Sequence, residues 1–152
     1  MAKDGITVQR LDRLIYKIKN IPDNLLAKEV TGAIGNLVKF NILKRTAKGV
    51  DSEKTPFEPY SESWAGVRIS KGLSINKVDL FFSGTMLSAL TYDAQPDHVR
   101  IFFMDTRDKR GVSSASKAVY NDELRPFFNI NADDIKEIME LLGSLTRKSL
   151  RG

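Results

Sequence analysis

The chain has 152 residues, a length that suits one domain with a sizeable buried core. Apolar residues make up 41% and charged residues 28%, and no apolar run approaches the ~20 residues of a membrane-spanning helix. Cysteine is absent, which excludes disulfides and thiolate metal sites. Because the first residues lead into no apolar segment, we expect a soluble protein without a secretory signal.

Positive charge is concentrated in the first third of the chain. The net charge is +5, but residues 1–50 hold ten Lys or Arg against four Asp or Glu, a net +6 for this third. A basic segment of this kind can meet phosphates or an acidic protein surface. Alternatively, these side chains form the solvated faces of amphipathic helices.

Two helices are predicted at the start of the chain. Residues 7–19 place apolar side chains at the spacing of one helical face, and a second helix is predicted from about 23 to 46. Gly32 and Gly35 lie inside the second helix, where glycine indicates either a kink or a close approach to another element. Gly49 is placed to end this helix as a C-cap.

Residues 50–76 change in composition and predict an extended loop followed by a short helical turn. Two prolines exclude a central strand, and Ser61 suits the N-cap of a helical turn that ends near Val67. Three aromatic residues are interleaved with the polar ones of this segment: Phe57, Tyr60 and Trp64.

A small sheet is predicted in the middle of the chain. Residues 78–82 have the composition of a short strand, and residues 84–89 that of a helical turn. Two further strands, 90–94 and 99–104, are predicted to form a hairpin through a turn at 95–98.

The last part of the chain predicts a loop and a final helix. Residues 105–117 are polar and predict a mobile loop, and residues 118–120 predict a further strand or turn. Asn131 is placed to cap the last helix, with acidic residues in its first turn. The sequence therefore predicts one α+β domain over residues 1–152, with N-terminal helices and a C-terminal helix packed on a small, mainly antiparallel β-sheet.

Groups that could carry catalysis are scarce. His98 is the only histidine, and it stands in a predicted turn without a second metal ligand at the usual spacing. Asp105 and Asp108 are the nearest carboxylate pair, but basic residues crowd them. No phosphate-binding glycine loop is present. We predict no catalytic, cofactor-binding or metal site; a toxin-like or regulatory enzyme, the least favoured class, would depend on Asp105 or His98.

A nucleic-acid-binding function is the main alternative. Basic residues of the predicted loop, together with Lys117, can contact phosphates without sequence specificity. No helix-turn-helix, zinc finger or RNA-binding aromatic strand accompanies them. The alternative to an assembly protein is therefore a non-enzymatic nucleic-acid-binding accessory protein that uses the basic N-terminal third.

Three short blocks stand in a fixed order along the chain. The first contains Pro56-Phe57-Glu58-Pro59, the second Ser83-Gly84-Thr85-Met86-Leu87, and the third Arg125-Pro126-Phe127-Phe128 before the last helix. In this order, over about residues 8–148, the chain resembles the virion-morphogenesis or tail-completion family of tailed bacteriophages. Phe57 stands where that family usually has tryptophan, and Tyr60 where it usually has leucine. The residues taken as its structural motif are Ser83, Gly84, Leu87, Arg125, Pro126 and Phe127.

The resemblance implies a structural protein of the virion neck, without catalysis, cofactor or membrane association. Such a protein is assembled in the host cytoplasm, completes the tail and joins it to the head at the head–tail junction. It forms a homo-oligomeric ring, commonly a hexamer, around the DNA channel. The implied partners are the head–tail adaptor or connector, the tail terminator or tail tube proteins, and, by non-specific contact, the channel DNA.

Two groups of residues are predicted to make these contacts. Phe57, Tyr60 and Trp64 would be costly if exposed to water, so they are expected at an interface, unless their rings pack back on the sheet. The loop at 105–117 is expected to contact the adaptor, the tail tube or the channel, with three charged members: Arg107, Lys109 and Arg110.

Overall fold

A computed structural model describes residues 28–96 and 98–151 of the chain. Five helices and two strands lie within these residues: α1 (Lys28–Lys48), α2 (Glu62–Ser70), α3 (Thr85–Ser88), β1 (Leu90–Gln95), β2 (His98–Phe103), α4 (Ser114–Leu124) and α5 (Ala132–Arg151).

The α+β class is confirmed, because the helices accompany one antiparallel two-stranded sheet formed by β1 and β2. The hairpin strands agree with the predicted ones to within a residue. The predicted helix at 7–19 and the first residues of the next one lie outside the described residues.

Helix α1 ends at the predicted glycine. Gly49 adopts a φ of 77°, a left-handed conformation that glycine takes without steric cost. Its N–H donates to the Thr46 carbonyl at 2.9 Å, and the Val50 N–H donates to the Arg45 carbonyl at 3.2 Å. These two bonds form a Schellman motif, which satisfies the last carbonyls of the helix.

The described residues divide into two compact units. The first takes residues 28–41, 91–102 and 130–151, and the second takes Ile42–Leu90 and Phe103–Asn129.

In the first unit, α1 lies directly against the hairpin. A Cβ placed on Gly35 would stand 2.7 Å from the Tyr92 ring and 2.8 Å from a Val99 methyl carbon, so only glycine allows this approach. Gly32 has more space, with Ala94 at 3.8 Å. Of the two alternatives for Gly35, the close approach is therefore correct. The core of this unit consists of Ile34, Val38, Ala94, Val99, Ile101, Ile138 and Leu142.

Helix α5 begins at the predicted cap. The Asn131 side chain accepts a hydrogen bond from the Asp134 N–H at 2.9 Å, and the Asp134 carboxylate accepts one from the Asn131 N–H at 3.0 Å. The same carboxylate accepts from the Asn41 amide of α1 at 2.9 Å. This buried polar contact joins α1 to α5.

The second unit has a separate core around α3 and α4. The Ser114 hydroxyl lies 3.4 Å from the Thr85 carbonyl, and the Asn121 amide lies 3.7 Å from the Met86 sulfur. Buried apolar residues from all parts of this unit complete the core: Ile42, Phe57, Val78, Leu80, Met86, Ala89, Leu90, Ala115, Ala118, Phe127 and Phe128.

The predicted strand at 78–82 is wrong, because the structure assigns no strand to these residues. Leu80 has a φ of 57°, so the backbone turns in the middle of the segment instead of running extended. Val78 and Leu80 still point into the core, whereas Phe81 and Phe82 are exposed.

The predicted strand or turn at 118–120 is also wrong, and residues 114–117 are not a loop. All of them belong to α4, whose N-cap Ser113 accepts a hydrogen bond from the Ser116 N–H at 3.3 Å. A serine directly before a run of good helix formers is an N-cap signal that the polar composition concealed.

Candidate interaction surface

A buried arginine organises the Pro-aromatic loop. Arg68 lies on α2 with 2% of its surface exposed. Its Nε donates to the Ser74 carbonyl at 3.0 Å, one terminal nitrogen donates to the Phe81 carbonyl, and the other lies 3.3 Å from the Asp79 carboxylate. The guanidinium therefore holds residues 78–82, the segment predicted as a strand, in place against α2.

Tyr60 is in contact with two guanidinium groups. The Arg68 guanidinium carbon is 4.4 Å from the centre of the Tyr60 ring, and that of Arg125 is 5.4 Å from it. The hydroxyl lies 3.4 Å from the Asp79 carboxylate. Burial raises the pKa of the Tyr60 hydroxyl above its usual value, an effect that the nearby positive charge of Arg68 partly offsets. Tyr60 is thus half-buried and engaged within its own chain.

The third sequence block is tied to the first. The Arg125 side chain donates to the Glu58 carbonyl at 2.9 Å and to the Pro59 carbonyl at 3.0 Å. The Pro126 carbonyl accepts from the Ser52 N–H at 3.3 Å. Phe127 is 1% exposed and is therefore a core residue.

The second block forms the turn that begins α3. Gly84 has a φ of 81°, and a Cβ on it would stand 2.9 Å from the Phe81 ring, so both backbone and space favour glycine. The Ser83 and Thr85 hydroxyls form a hydrogen bond across this turn. Leu87 is half-buried on α3.

An exposed aromatic surface lies where α2 meets the 78–82 segment. Trp64 is 39% exposed and Phe82 is 38% exposed, and their ring centres are 5.0 Å apart. Val67 follows one turn after Trp64 on α2, and Phe81 precedes Phe82. Val67 and Phe81 are each at least 40% exposed. We call these four residues the aromatic patch. Phe57, in contrast, is 7% exposed and belongs to the core of its own chain.

The segment predicted as a mobile loop contains a regular turn. The Gly111 N–H donates to the Asp108 carbonyl at 2.9 Å, and the Asp108 N–H donates to the Val112 carbonyl at 3.1 Å. Gly111 has a φ of 78°, and an antiparallel bridge joins Arg107 to Ser113. This is the three-residue hairpin loop in which a type I turn is followed by a left-handed glycine. We call residues 106–114 the basic turn.

The Asp108 carboxylate stabilises the basic turn from inside. It accepts hydrogen bonds from the Arg110 N–H at 2.8 Å and the Val112 N–H at 3.0 Å, and it forms an ion pair with Lys117 at 2.6 Å. The hydrogen bond from Lys117, followed by the backbone bond from Val112, lowers the pKa of Asp108 to about 2. Lys117 is therefore occupied within the chain and is not a free phosphate contact.

Two of the cations of the basic turn form no ion pair with any residue that the structure describes. Arg107 donates to the Gly111 carbonyl at 2.8 Å and lies 3.9 Å from the Asp105 carboxylate. Lys109 and Arg110 occupy the two central positions of the turn and are exposed, and neither forms an ion pair within residues 28–96 and 98–151. The turn thus presents two adjacent positive charges to solvent.

The three candidate acid–base residues, Asp105, Asp108 and His98, lie in or beside the hairpin and the basic turn. Asp105 accepts a hydrogen bond from the Ser113 hydroxyl, and Asp108 is used by the basic turn. His98 is the first residue of β2. Within the described part of the chain, no three His, Cys, Asp or Glu side chains are grouped closely enough to hold a metal ion. No helix of the same residues is long and apolar enough to span a membrane.

The prediction from sequence missed Arg68 and Asp79. Arginine is seldom fully buried, so Arg68, one residue after Val67 on a short helix, was expected to be exposed.

The basic turn, in contrast, has a local sequence signal. Asp at the first position and Gly at the fourth position of Asp108-Lys109-Arg110-Gly111 are typical of a type I turn.

Comparison of the chain with protein-family models, with curated proteins and with solved structures gives no match.

Proposed function

We propose that this chain is a structural virion protein that completes the tail of a bacteriophage and joins it to the head. In this proposal, it acts without catalysis as a subunit of a ring, commonly a hexamer, around the DNA channel. Its neighbours are the head–tail adaptor or connector and the tail terminator or tail tube proteins. The proposal starts from the order of the three sequence blocks.

The exposure of the aromatic patch is the observation that best supports a function in assembly. The Trp64 and Phe82 rings are tilted against each other with their centres 5.0 Å apart, and each keeps more than a third of its surface exposed. Aromatic rings are enriched at protein interfaces. The patch is held in place by the buried Arg68, whose hydrogen bonds fix the Phe81 backbone relative to α2. An ordered, exposed patch of this kind fits a subunit that completes its burial in an assembly.

A ring supplies a natural partner for such a patch. In a cyclic ring, each subunit meets the next through two different surfaces, so the aromatic patch of one copy would be covered by another face of its neighbour. Phe57 is buried and Tyr60 contacts Arg68 and Arg125 of its own chain, so neither is itself the proposed contact.

The location of the protein in phage particles tests the proposal. Particles are purified from cells infected with a phage that encodes this chain with a C-terminal affinity tag, and gold-labelled antibody against the tag is located by electron microscopy. We expect label at the head–tail junction. Label on the capsid or the distal tail, or particles without label, would overturn the proposed function.

A further inference from the structure

The basic turn has an architecture that the proposed function does not explain. Its backbone is closed by hydrogen bonds between residues 106 and 114 and by the internal Asp108 carboxylate. The two central positions of this ordered turn are both occupied by exposed cations, Lys109 and Arg110.

The charges of the turn are arranged so that its tip is positive. The Asp108 charge is balanced by Lys117 at 2.6 Å, and the Asp105 carboxylate accepts from the Ser113 hydroxyl at 2.5 Å and faces Arg107 at 3.9 Å. Both acidic groups thus have basic partners, which leaves Lys109 and Arg110 as the uncompensated charges of residues 105–117.

We infer that the basic turn binds the phosphate backbone of duplex DNA through Lys109 and Arg110. Both side chains are long, exposed cations, and phosphate oxygens accept readily from Lys and Arg. An acidic protein surface is the weaker choice because the tip carries no aromatic residue, and aromatic residues are enriched at protein interfaces. The inference deepens the proposed function, on which it rests for the presence of DNA near the turn.

The mode of binding follows from the geometry of the turn. Two adjacent cations at a turn can neutralise about two phosphates, and such contacts carry no sequence information. The hydrogen bonds of Asp108 order the backbone before binding, so little conformational entropy is lost when the tip meets DNA. We therefore expect weak, sequence-independent binding that decreases steeply with salt.

Fluorescence anisotropy with a labelled DNA duplex tests the inference. The full chain is compared with the double variant Lys109→Ala/Arg110→Ala over a range of salt concentrations. We expect the variant to bind about tenfold more weakly or worse at 0.1 M salt, and the slope of log K against log salt to fall by about 2. Lys71→Ala/Lys77→Ala is the matched control, because it removes two exposed lysines and the same net charge.

Each result decides the inference. Equal losses in the two double variants would show a general charge effect and would overturn it, as would unchanged binding after loss of Lys109 and Arg110. Binding of the wild-type chain to polyglutamate but not to DNA would also overturn it, in favour of an acidic protein. The reversal Lys109→Glu/Arg110→Glu, with the Tm unchanged, should abolish binding. The anisotropy experiment measures DNA binding in vitro and the gold labelling measures location in the particle, so failure of the inference is distinguishable from failure of the proposed function.

Discussion

At the scale of single residues, Arg68 is the position on which the aromatic patch depends. Its guanidinium stacks on Tyr60 and donates to two backbone carbonyls, so its loss removes donors from groups that stay partly buried. A buried carbonyl or carboxylate without its partner costs about 1–3 kcal/mol.

Arg68→Met should lower the free energy of unfolding by about 2–4 kcal/mol, because the methionine fills the space but supplies no hydrogen bond. Trp64, the only tryptophan, lies one turn away on α2 and reports this unit by fluorescence during urea unfolding. Arg147→Met, at an exposed position of α5, is the control and should change little. A loss below about 0.5 kcal/mol in Arg68→Met would contradict the anchoring role.

Two glycines of α1 offer a matched test of helix packing. Alanine is a better helix former than glycine by about 1 kcal/mol, so it should stabilise the helix wherever a methyl group fits. At Gly32 the nearest atom would be 3.8 Å away, whereas at Gly35 the methyl group would meet Tyr92 at 2.7 Å.

We therefore expect Gly32→Ala to stabilise the chain by up to about 1 kcal/mol and Gly35→Ala to destabilise it by about 1–2 kcal/mol. Thermal unfolding followed by circular dichroism measures both. The contradictory result is a Tm that rises in both variants, which would mean that the hairpin moves away from α1 at little cost.

At the scale of elements, the basic turn is a small structure whose stability depends on one carboxylate. The folded chain holds the pKa of Asp108 at about 2, below its usual value of 3.8. The charged form is therefore favoured by folding, so its contribution is complete above about pH 4 and is lost as the pH falls toward 2.

Asp108→Asn should lower the Tm at pH 7, and the difference from the wild-type chain should shrink steadily between pH 4 and pH 2, the window given by the two pKa values of Asp108. Lys117→Met removes the same ion pair, so it should show the same pH dependence. In the double variant, the two losses should not add. A Tm difference that is constant from pH 7 to pH 2 would rule out this role for the carboxylate.

At the scale of the whole molecule, the proposed function makes the aromatic patch the surface through which the chain would assemble. Partly exposed tryptophan at the centre of an apolar patch is typical of an interface residue with a large effect on binding. Because Trp64 already has much of its surface in solvent, its replacement should disturb the fold less than it disturbs association.

Trp64→Ser should weaken assembly by about 2 kcal/mol or more, roughly thirtyfold, while the circular dichroism spectrum stays unchanged. Incorporation into purified particles, measured by immunoblot in cells that also make the wild-type chain, gives the readout. Met139→Ser is the control, since Met139 is 52% exposed on α5 and lies outside the patch. Equal incorporation of the Trp64 variant and the wild-type chain would remove the patch from the proposed interface.

Local signals predicted much of this fold. The hairpin of β1 and β2, the Ser61 and Asn131 caps and the Gly49 C-cap all depend on residues within a few positions of one another. The misplaced strand at 78–82 shows the opposite case. Its apolar composition fits a strand, but Arg68, 13 residues before Phe81, donates to the Phe81 carbonyl, and the backbone turns at Leu80.

The same difference between local and long-range contacts applies to the candidate surface. Exposure of Trp64 and burial of Phe57 depend on contacts between blocks that are far apart in the sequence, as Arg125 shows by donating to Glu58 and Pro59. Composition alone therefore identified the aromatic residues but did not separate the buried ring from the exposed one. The turn at Asp108–Gly111 could have been predicted, because the spacing of Asp and Gly is a local property, but the polar composition was interpreted as a mobile loop.

Leu80 places a limit on how this chain can diverge. A left-handed φ of 57° favours glycine or asparagine, whereas 9% exposure in the core favours a large apolar side chain. Glycine would relieve about 1–2 kcal/mol of backbone strain but forfeit about 1.5–3 kcal/mol of side-chain burial. No common residue satisfies both demands, so homologous chains that keep this turn are expected to hold either a large apolar residue or glycine at the position. Those that lose it would have to rebuild the 78–82 segment at the same time.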